Sequence, residues 1–200
     1  MRSGLRIAGL LLAGGRSRRF GTEKAVAPLG EGVMMDVPLA ALLGVCTEVV
    51  VSVRLGSAAH GYAQTMGLVC LQDAPGGAEG PLAGIKQGLL WAAAQGFAWL
   101  AVAPCDAASL SASQYRKLAL AAAEGAKGAV GAGEGGLEPL ISLWPVTEGL
   151  VAVNAALAAG GHPAIREVLS AIGAAQVRLT GYDGLNVNTP ADLPDLQTSL

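Results

Sequence analysis

Ile7 to Leu12 is an unbroken apolar run of strand length that stops at Gly14-Gly15. A run without polar alternation is buried on both faces, the pattern of a central strand in a parallel sheet. The β-branched segment Glu48 to Val53 reads as a second strand. Leu68 to Leu71 reads as a third, ending at Gln72-Asp73, and Phe97 to Ala103 as another, stopped by Pro104. Helical patterns lie between them. Val37 to Gly44 is one. In Leu82 to Ala94 the side chains of Leu82, Ile85, Leu89 and Ala93 share a face, with Pro81 suited to the first turn. Ser111 to Glu124 follows, with Ser111 placed to cap it. Beyond a Gly-rich stretch, Ala129 to Gly136, the pattern predicts a strand over Leu140 to Trp144 and helices over Leu150 to Ala159 and Ala164 to Ile172. It then predicts a strand near Gln176 to Leu179 and a last helix, Ala191 to Leu196, announced by Asn188-Thr189-Pro190. Strands alternating with helices predict an α/β fold, a doubly wound, mostly parallel sheet with helices on both faces. At 200 residues the chain fits one domain, 1-200.

The same pattern disposes of two membrane-like signals. Gln87 to Cys105 carries no charge over 19 residues, the length of a membrane span. Gln87, Gln95 and Gly96 interrupt it, and it splits into a helix and a strand. Arg2 and Arg6 precede the first apolar run as in a signal peptide, but the run is too short and Arg16, Arg18 and Arg19 follow it at once. Ser17-Arg18-Arg19 resembles a twin-arginine signal, yet no apolar segment follows. The reading is a chain without a membrane partner. Cys46, Cys70 and Cys105 are scattered and odd in number, which fits reduced thiols in a cytoplasmic protein better than a disulfide frame or a zinc site. Thirteen basic residues against 15 acidic ones give a net charge of -2, so the surface does not suit non-specific nucleic-acid binding.

In doubly wound sheets, ligands bind outside the carboxyl ends of the strands. Gly14-Gly15, Asp73 and Asp106 all follow strand ends here. The first of these opens the segment Leu12-Ala13-Gly14-Gly15-Arg16-Ser17-Arg18-Arg19-Phe20-Gly21-Thr22-Glu23-Lys24. Adjacent glycines let backbone amides approach phosphates without an intervening Cβ, and Arg19 and Lys24 can neutralise them. The spacing is neither a Walker A loop nor G-x-G-x-x-G. A surface loop with solvated arginines is the competing reading. Gly80-Pro81-Leu82-Ala83-Gly84 opens a helix, where small residues admit either a ligand at the positive helix end or tight packing on a strand. Asp106, after the most apolar strand, suits a hard cation such as Mg²⁺ or a turn cap. Asn186 and Asn188 alternate along an extended segment and so share a side. Their amides suit a polar heterocycle or phosphate, while Asn188 alone also suits a helix cap. His60 and His162 read as ordinary surface or loop histidines.

The long first segment resembles the signature L-A-G-G-x-S-x-R-[FM]-G-x-x-K of the molybdenum cofactor nucleotidyltransferases, most of all the guanylyltransferases. Gly80-Pro81-Leu82-Ala83-Gly84, Pro104-Cys105-Asp106 and Asn186-Val187-Asn188-Thr189-Pro190 match the family's later motifs in order. The resemblance implies a Rossmann-like nucleotidyltransferase that moves GMP from GTP to molybdenum-molybdopterin with Mg²⁺. It implies nucleotide contacts at Leu12, Ala13, Gly14, Gly15, Lys24, Ser52, Asp73, Gly80, Gly84 and Asp106, catalytic roles for Arg19, Lys24 and Asp106, and metal at Asp106. Asn186 and Asn188 would face the molybdopterin. Implied protein partners are molybdenum-insertion proteins and apo-molybdoenzymes or their chaperones. The chain departs from the family at Ser52, where the guanylyltransferases often have Asn, and at Glu138-Pro139-Leu140, where relatives often have a neutral or imidazole side chain before Pro. A cytidylyltransferase acting on the same cofactor, another small-molecule nucleotidyltransferase of this fold, and a non-catalytic module delivering the cofactor remain as alternatives.

Overall fold

The computed structural model describes residues 5–15, 23–72, 80–160, 163–182 and 184. The first apolar run forms strand β1 (Ile7–Leu12), and alternate residues serve its two faces. Ile7 and Leu11 join one core cluster, Ala8 and Leu10 the other. A 3-10 turn (Lys24–Val26) leads into a hairpin, β2 (Pro28–Leu29) and β3 (Gly32–Val33), whose turn is made by Gly30 at φ 58°. Helix α1 (Asp36–Leu43), β4 (Glu48–Ser52), α2 (Ala58–Thr65) and β5 (Val69–Leu71) follow. Next come α3 (Pro81–Ala94), β6 (Trp99–Pro104), α4 (Ala112–Ala123), β7 (Ala129–Gly133) and β8 (Gly136–Pro145). Helices α5 (Val146–Ala158) and α6 (Ile165–Ile172) and strand β9 (Ala175–Arg178) complete the described residues.

The large sheet runs β5-β4-β1-β6-β8-β7-β9. β1 is parallel to both β4 and β6, β4 to β5, and β7 to β9, while β8 runs against β6 and β7. The sheet is therefore mostly parallel, as the pattern predicts, with one reversed strand. The chain winds outward from β1 through β4 to β5 and then returns to place β6 on the other side of β1. Such a reversal opens a crevice at the carboxyl ends of the two strands. One core cluster packs residues of α1 and α4, such as Leu39, Leu42, Tyr115 and Leu118, on one face. The other packs Ile85, Leu89, Val153 and Val168 of α3, α5 and α6 on the opposite face.

Helix α3 lies unusually close to the sheet. A Cβ on Gly88 would come within 2.6 Å of Leu10 Cδ2, and one on Gly84 within 2.8 Å of Ser52 Oγ and 2.9 Å of Leu12 Cδ2. Four residues apart, the two glycines share a helix face, so they set the helix down on the strands. Its N-cap, Gly80, has φ 110°, a conformation that a Cβ disfavours.

Several boundaries differ from the pattern. β6 starts at Trp99 rather than Phe97 and carries Pro104 as its last residue, paired in register with Leu12; a proline is tolerated where a strand ends. The Gly-rich stretch from Ala129 is strand β7 followed by a turn at Glu134-Gly135 into β8, whose first residue, Gly136, has φ 114°. Helix α5 starts at Val146, four residues early, because β8 runs straight into its N-cap, Pro145. Helix α2 and the β2–β3 hairpin have no counterpart in the pattern. α2 fully buries only two residues, the alanines Ala59 and Ala63, with Tyr62 packed part-buried beside them, too slight a periodicity to read. It carries His60, whose backbone N–H bonds Ser57 Oγ at 3.1 Å and whose Nδ1 accepts from Gly56 N at 3.4 Å. The last helix, Ala191 to Leu196, and His162 lie outside the described residues. No helix among the described residues is long and apolar enough to cross a membrane. The uncharged stretch from Gln87 divides between α3 and β6.

Candidate active site

The crevice between β1 and β6 holds a cavity of about 240 Å³. Leu12, Gly14 and Gly15 line it from the end of β1, Ser52 from the end of β4, and Pro104, Cys105 and Asp106 from the end of β6. Gly80, Pro81 and Gly84 close it from the start of α3, Lys24 reaches in from the 3-10 turn, and Leu140 covers it from β8. Eight of these residues are ones that the resemblance places at the nucleotide or the metal. Ala13 is the exception among those described. It turns into the core, 1% exposed, and its N–H donates to the Ser52 carbonyl at 2.9 Å. Arg19, Asp73, Asn186 and Asn188 lie outside the described residues.

Two charged groups meet inside this cavity. Lys24 Nζ donates to Asp106 Oδ2 at 2.6 Å across 82 residues of sequence, with side chains 12% and 25% exposed. A half-buried pair of this kind holds one positive and one negative group against the ends of β1 and β6. Beside it, burial and the neighbouring Asp106 charge push the Cys105 thiol up to about 12, so it stays protonated and unreactive. Cys105 N–H donates to the Leu12 carbonyl at 3.1 Å, tying β6 to β1 where the cavity begins. Ser52, at 6% exposure, presents a short hydroxyl between strand and helix, and the missing Cβ of Gly84 leaves room for it. Tight packing and ligand access at Gly84 are thus one feature.

Glu138 is paired in register with Gly131 next to the bulge of β7, with Oε1 near Gly133 and Gly184. Burial, and after it the charge of Asp106, raise its carboxyl above the ordinary value. The departure noted in sequence therefore stands within electrostatic reach of the Lys24–Asp106 pair. Sequence reasoning missed Leu140 as a wall of the cavity. An apolar residue in a strand carries no chemical signal, and it arrives only because β8 crosses back beside β6.

A single carboxylate suits Mg²⁺, which keeps several waters and takes its other ligands from substrate phosphates rather than from an all-protein cage. Among the described residues no three acidic, His or Cys side chains cluster as a metal cage would require. The donor set fits an ion that arrives with a polyphosphate.

A family model for the MobA-like NTP transferase domain matches residues 9–180 of this chain. The chain belongs to that family. Molybdenum cofactor guanylyltransferase of Cereibacter sphaeroides is 36% identical over 199 residues, covering 98% of each chain. Among solved structures, molybdopterin-guanine dinucleotide biosynthesis protein A of Archaeoglobus fulgidus superposes on this MobA-like chain with a TM-score of 0.75 at 20% identity, covering 96% of this chain and 97% of its own. The 2-C-methyl-D-erythritol 4-phosphate cytidylyltransferase of Thermus thermophilus gives 0.72 at 19% identity, covering 98% of each. At these identities the structural likeness speaks for the fold alone. It extends across proteins whose names carry guanine in one case and a cytidylyl group in the other.

Proposed function

We propose that this MobA-like chain transfers GMP from GTP to molybdenum-molybdopterin and releases pyrophosphate. The observation that carries the reading is the facing Lys24 and Asp106 in a glycine-lined cavity at the sheet's reversal point. Its support in sequence is the 36% identity, over 98% of the chain, to a relative named molybdenum cofactor guanylyltransferase.

The reaction asks little covalent chemistry of the protein. A phosphate oxygen of the cofactor is anionic at neutral pH and needs no general base. It forms a bond to the α-phosphorus of GTP while the bond to the bridging oxygen of the β-phosphate breaks, and pyrophosphate departs with that electron pair. Positioning and charge neutralisation then carry the rate. Gly14 and Gly15 allow the phosphates close to the backbone at the end of β1, and the start of α3 adds the positive end of a helix. Lys24, released from Asp106, places its ammonium on the phosphates; Arg19 joins it. Asp106 is the residue to hold Mg²⁺, which supplies positive charge against the developing pyrophosphate when bound. Asn186 and Asn188 receive the molybdopterin. Guanine rather than cytosine is supported by the Gly14-Gly15 pair, since the cytidylyltransferase relatives typically read L-A-A-G and a methyl at the place of Gly14 narrows the space near the base or sugar.

Turnover with Mg²⁺, GTP and CTP in competition is the test. Guanine dinucleotide product in excess is expected. Preference for CTP would overturn the choice of base, and absence of magnesium-dependent turnover with either nucleotide would overturn the reaction.

A further inference from the structure

Glu23 and Lys24 are neighbours whose side chains are anchored to different parts of the molecule. Lys24 Nζ meets Asp106 in the cavity. Glu23 Oε2 accepts a hydrogen bond of 2.7 Å from Ala58 N, at the first residue of α2. Glu23 has an extended backbone, φ -74° and ψ 107°, which sends successive side chains to opposite sides. The first amides of a helix lack partners within it. The N-cap of α2, Ser57, serves His60 N, and Ala58 N is served by a carboxylate 35 residues earlier in the chain. The segment from Ser52 to Ala58 also holds the other end of the glycine-rich stretch, because its Ser52 carbonyl accepts from Ala13 N at 2.9 Å.

We infer that Glu23 is a positioning residue: by gripping the N-terminus of α2 it fixes the backbone from which Lys24 reaches the phosphates. The inference rests on the reading of Lys24 given above. Glu23 touches neither substrate nor metal in this role. Its bond to Ala58 is exposed to solvent, so its loss leaves the core packing intact. The placement of one ammonium is what it changes. A displacement of about 1 Å in a reacting constellation is enough for a rate loss of roughly a hundredfold.

The bond can be cut from either side. Glu23→Ala removes the acceptor. Ala58→Pro removes only the donor, because proline is favoured at the first helical position and Ser57, at ψ 163°, already has the extended conformation that a following proline requires. Both variants are expected to lose roughly ten- to a hundredfold in kcat with little change in KM for GTP. The double variant is expected to be no worse than either single, as for two ends of one interaction. Glu23→Gln, whose amide oxygen still accepts the bond, is expected to recover most of the rate. Melting temperatures stay near that of the unaltered chain. Wild-type kcat in Ala58→Pro, or losses that multiply in the double variant, would overturn the inference. If Ala58→Pro does not fold, Glu23→Ala against Glu23→Gln decides, and equal defects in the two overturn it. Lys24→Ala separates the two levels. Should it keep full turnover, the reading of the site falls; should it lose turnover while Glu23→Ala does not, only the role of Glu23 falls.

Discussion

Gly84 and Gly88 allow the same chemical change, one added methyl, to be made one helical turn apart with opposite consequences. At Gly88 the methyl would sit 2.6 Å from Leu10 Cδ2 and 3.1 Å from Leu100 Cδ2, both on side chains without any exposure. Overpacking a closed core costs about 1–3 kcal/mol, and replacing a helical glycine by alanine returns about 0.8–1 kcal/mol. Gly88→Ala should therefore be destabilised by roughly 0–2 kcal/mol, which for a chain of this size lowers the melting temperature by up to about 8 °C. At Gly84 the obstacles are Ser52 Oγ, 2.8 Å away, and Leu12 Cδ2, 2.9 Å away. The hydroxyl can rotate and Leu12 can yield toward the cavity that both residues line. The packing cost is then near the low end and the helix gain cancels it, leaving stability within about 1 kcal/mol. The displaced atoms enter the cavity instead, and a misplaced methyl or methylene in a binding pocket is worth roughly 10–200-fold. Thermal melts and nucleotide affinity on the same preparations give both numbers. Gly88→Ala should lose stability and keep affinity; Gly84→Ala should keep stability and lose affinity. A greater loss of stability at Gly84 than at Gly88 would refute the packing argument.

Asp106→Asn should keep the fold while its turnover becomes independent of magnesium over the range where the unaltered chain responds, measured by titrating the metal against rate. Glu138→Gln should raise the melting temperature at neutral pH. The folded carboxyl is raised by burial and by Asp106, so its ionisation opposes folding, and stability falls as pH rises from the unfolded value through the folded one. The advantage of Gln should vanish in melts taken below the ordinary glutamate pKa. Tyr62→Phe removes a hydroxyl that donates to Asp36 at 2.9 and 3.0 Å, and should cost about 1.5–3 kcal/mol, the range for a hydrogen bond to a charged group, in denaturant unfolding. Because burial and Asp36 raise the phenol, its contribution is present below the unfolded tyrosine pKa and lost as pH climbs through the folded one, so the two proteins should converge in alkali.

The parts of the fold that sequence revealed are those where burial leaves a periodic trace. β1 and β6 are buried on both faces and read as unbroken apolar runs, β4 reads through its β-branched valines, and α3 reads through Leu82, Ile85 and Leu89. Ser111 caps α4 as expected, with Gln114 Oε1 accepting from its backbone N at 2.9 Å. α2 was illegible because its fully buried residues are two alanines and its other ties, Tyr62 to Asp36 and Ala58 N to Glu23, reach residues distant in the chain. β8 could be read as a strand but not as a reversed one, since direction is set by partners far away in the chain. At the site, Gly14, Gly15 and Asp106 were legible because glycine pairs and carboxylates are unusual at strand ends, and Lys24 as a cation closing the glycine-rich segment; Ser52 came in only through the resemblance. Leu140 and Glu23 were not legible. The first is one leucine among many, and the second owes its place to a helix that leaves no pattern.

The cavity wall is assembled from residues 12, 14, 15, 24, 52, 80, 81, 84, 104–106 and 140, segments that all meet only when β1 has both neighbours in place. A ligand seated there bridges the outward-winding half, β1 through β5, and the returning half that begins with β6, and it has nothing comparable to hold in the unfolded chain. Its binding energy therefore adds to the folding of the whole sheet, by about 2.7 kcal/mol at a hundred times its dissociation constant. β1 and β6 are the buried centre of the sheet, so the seam between them opens only with the core, and a bound ligand makes that opened state rarer still. The occupied protein is held together at the line where its two windings meet.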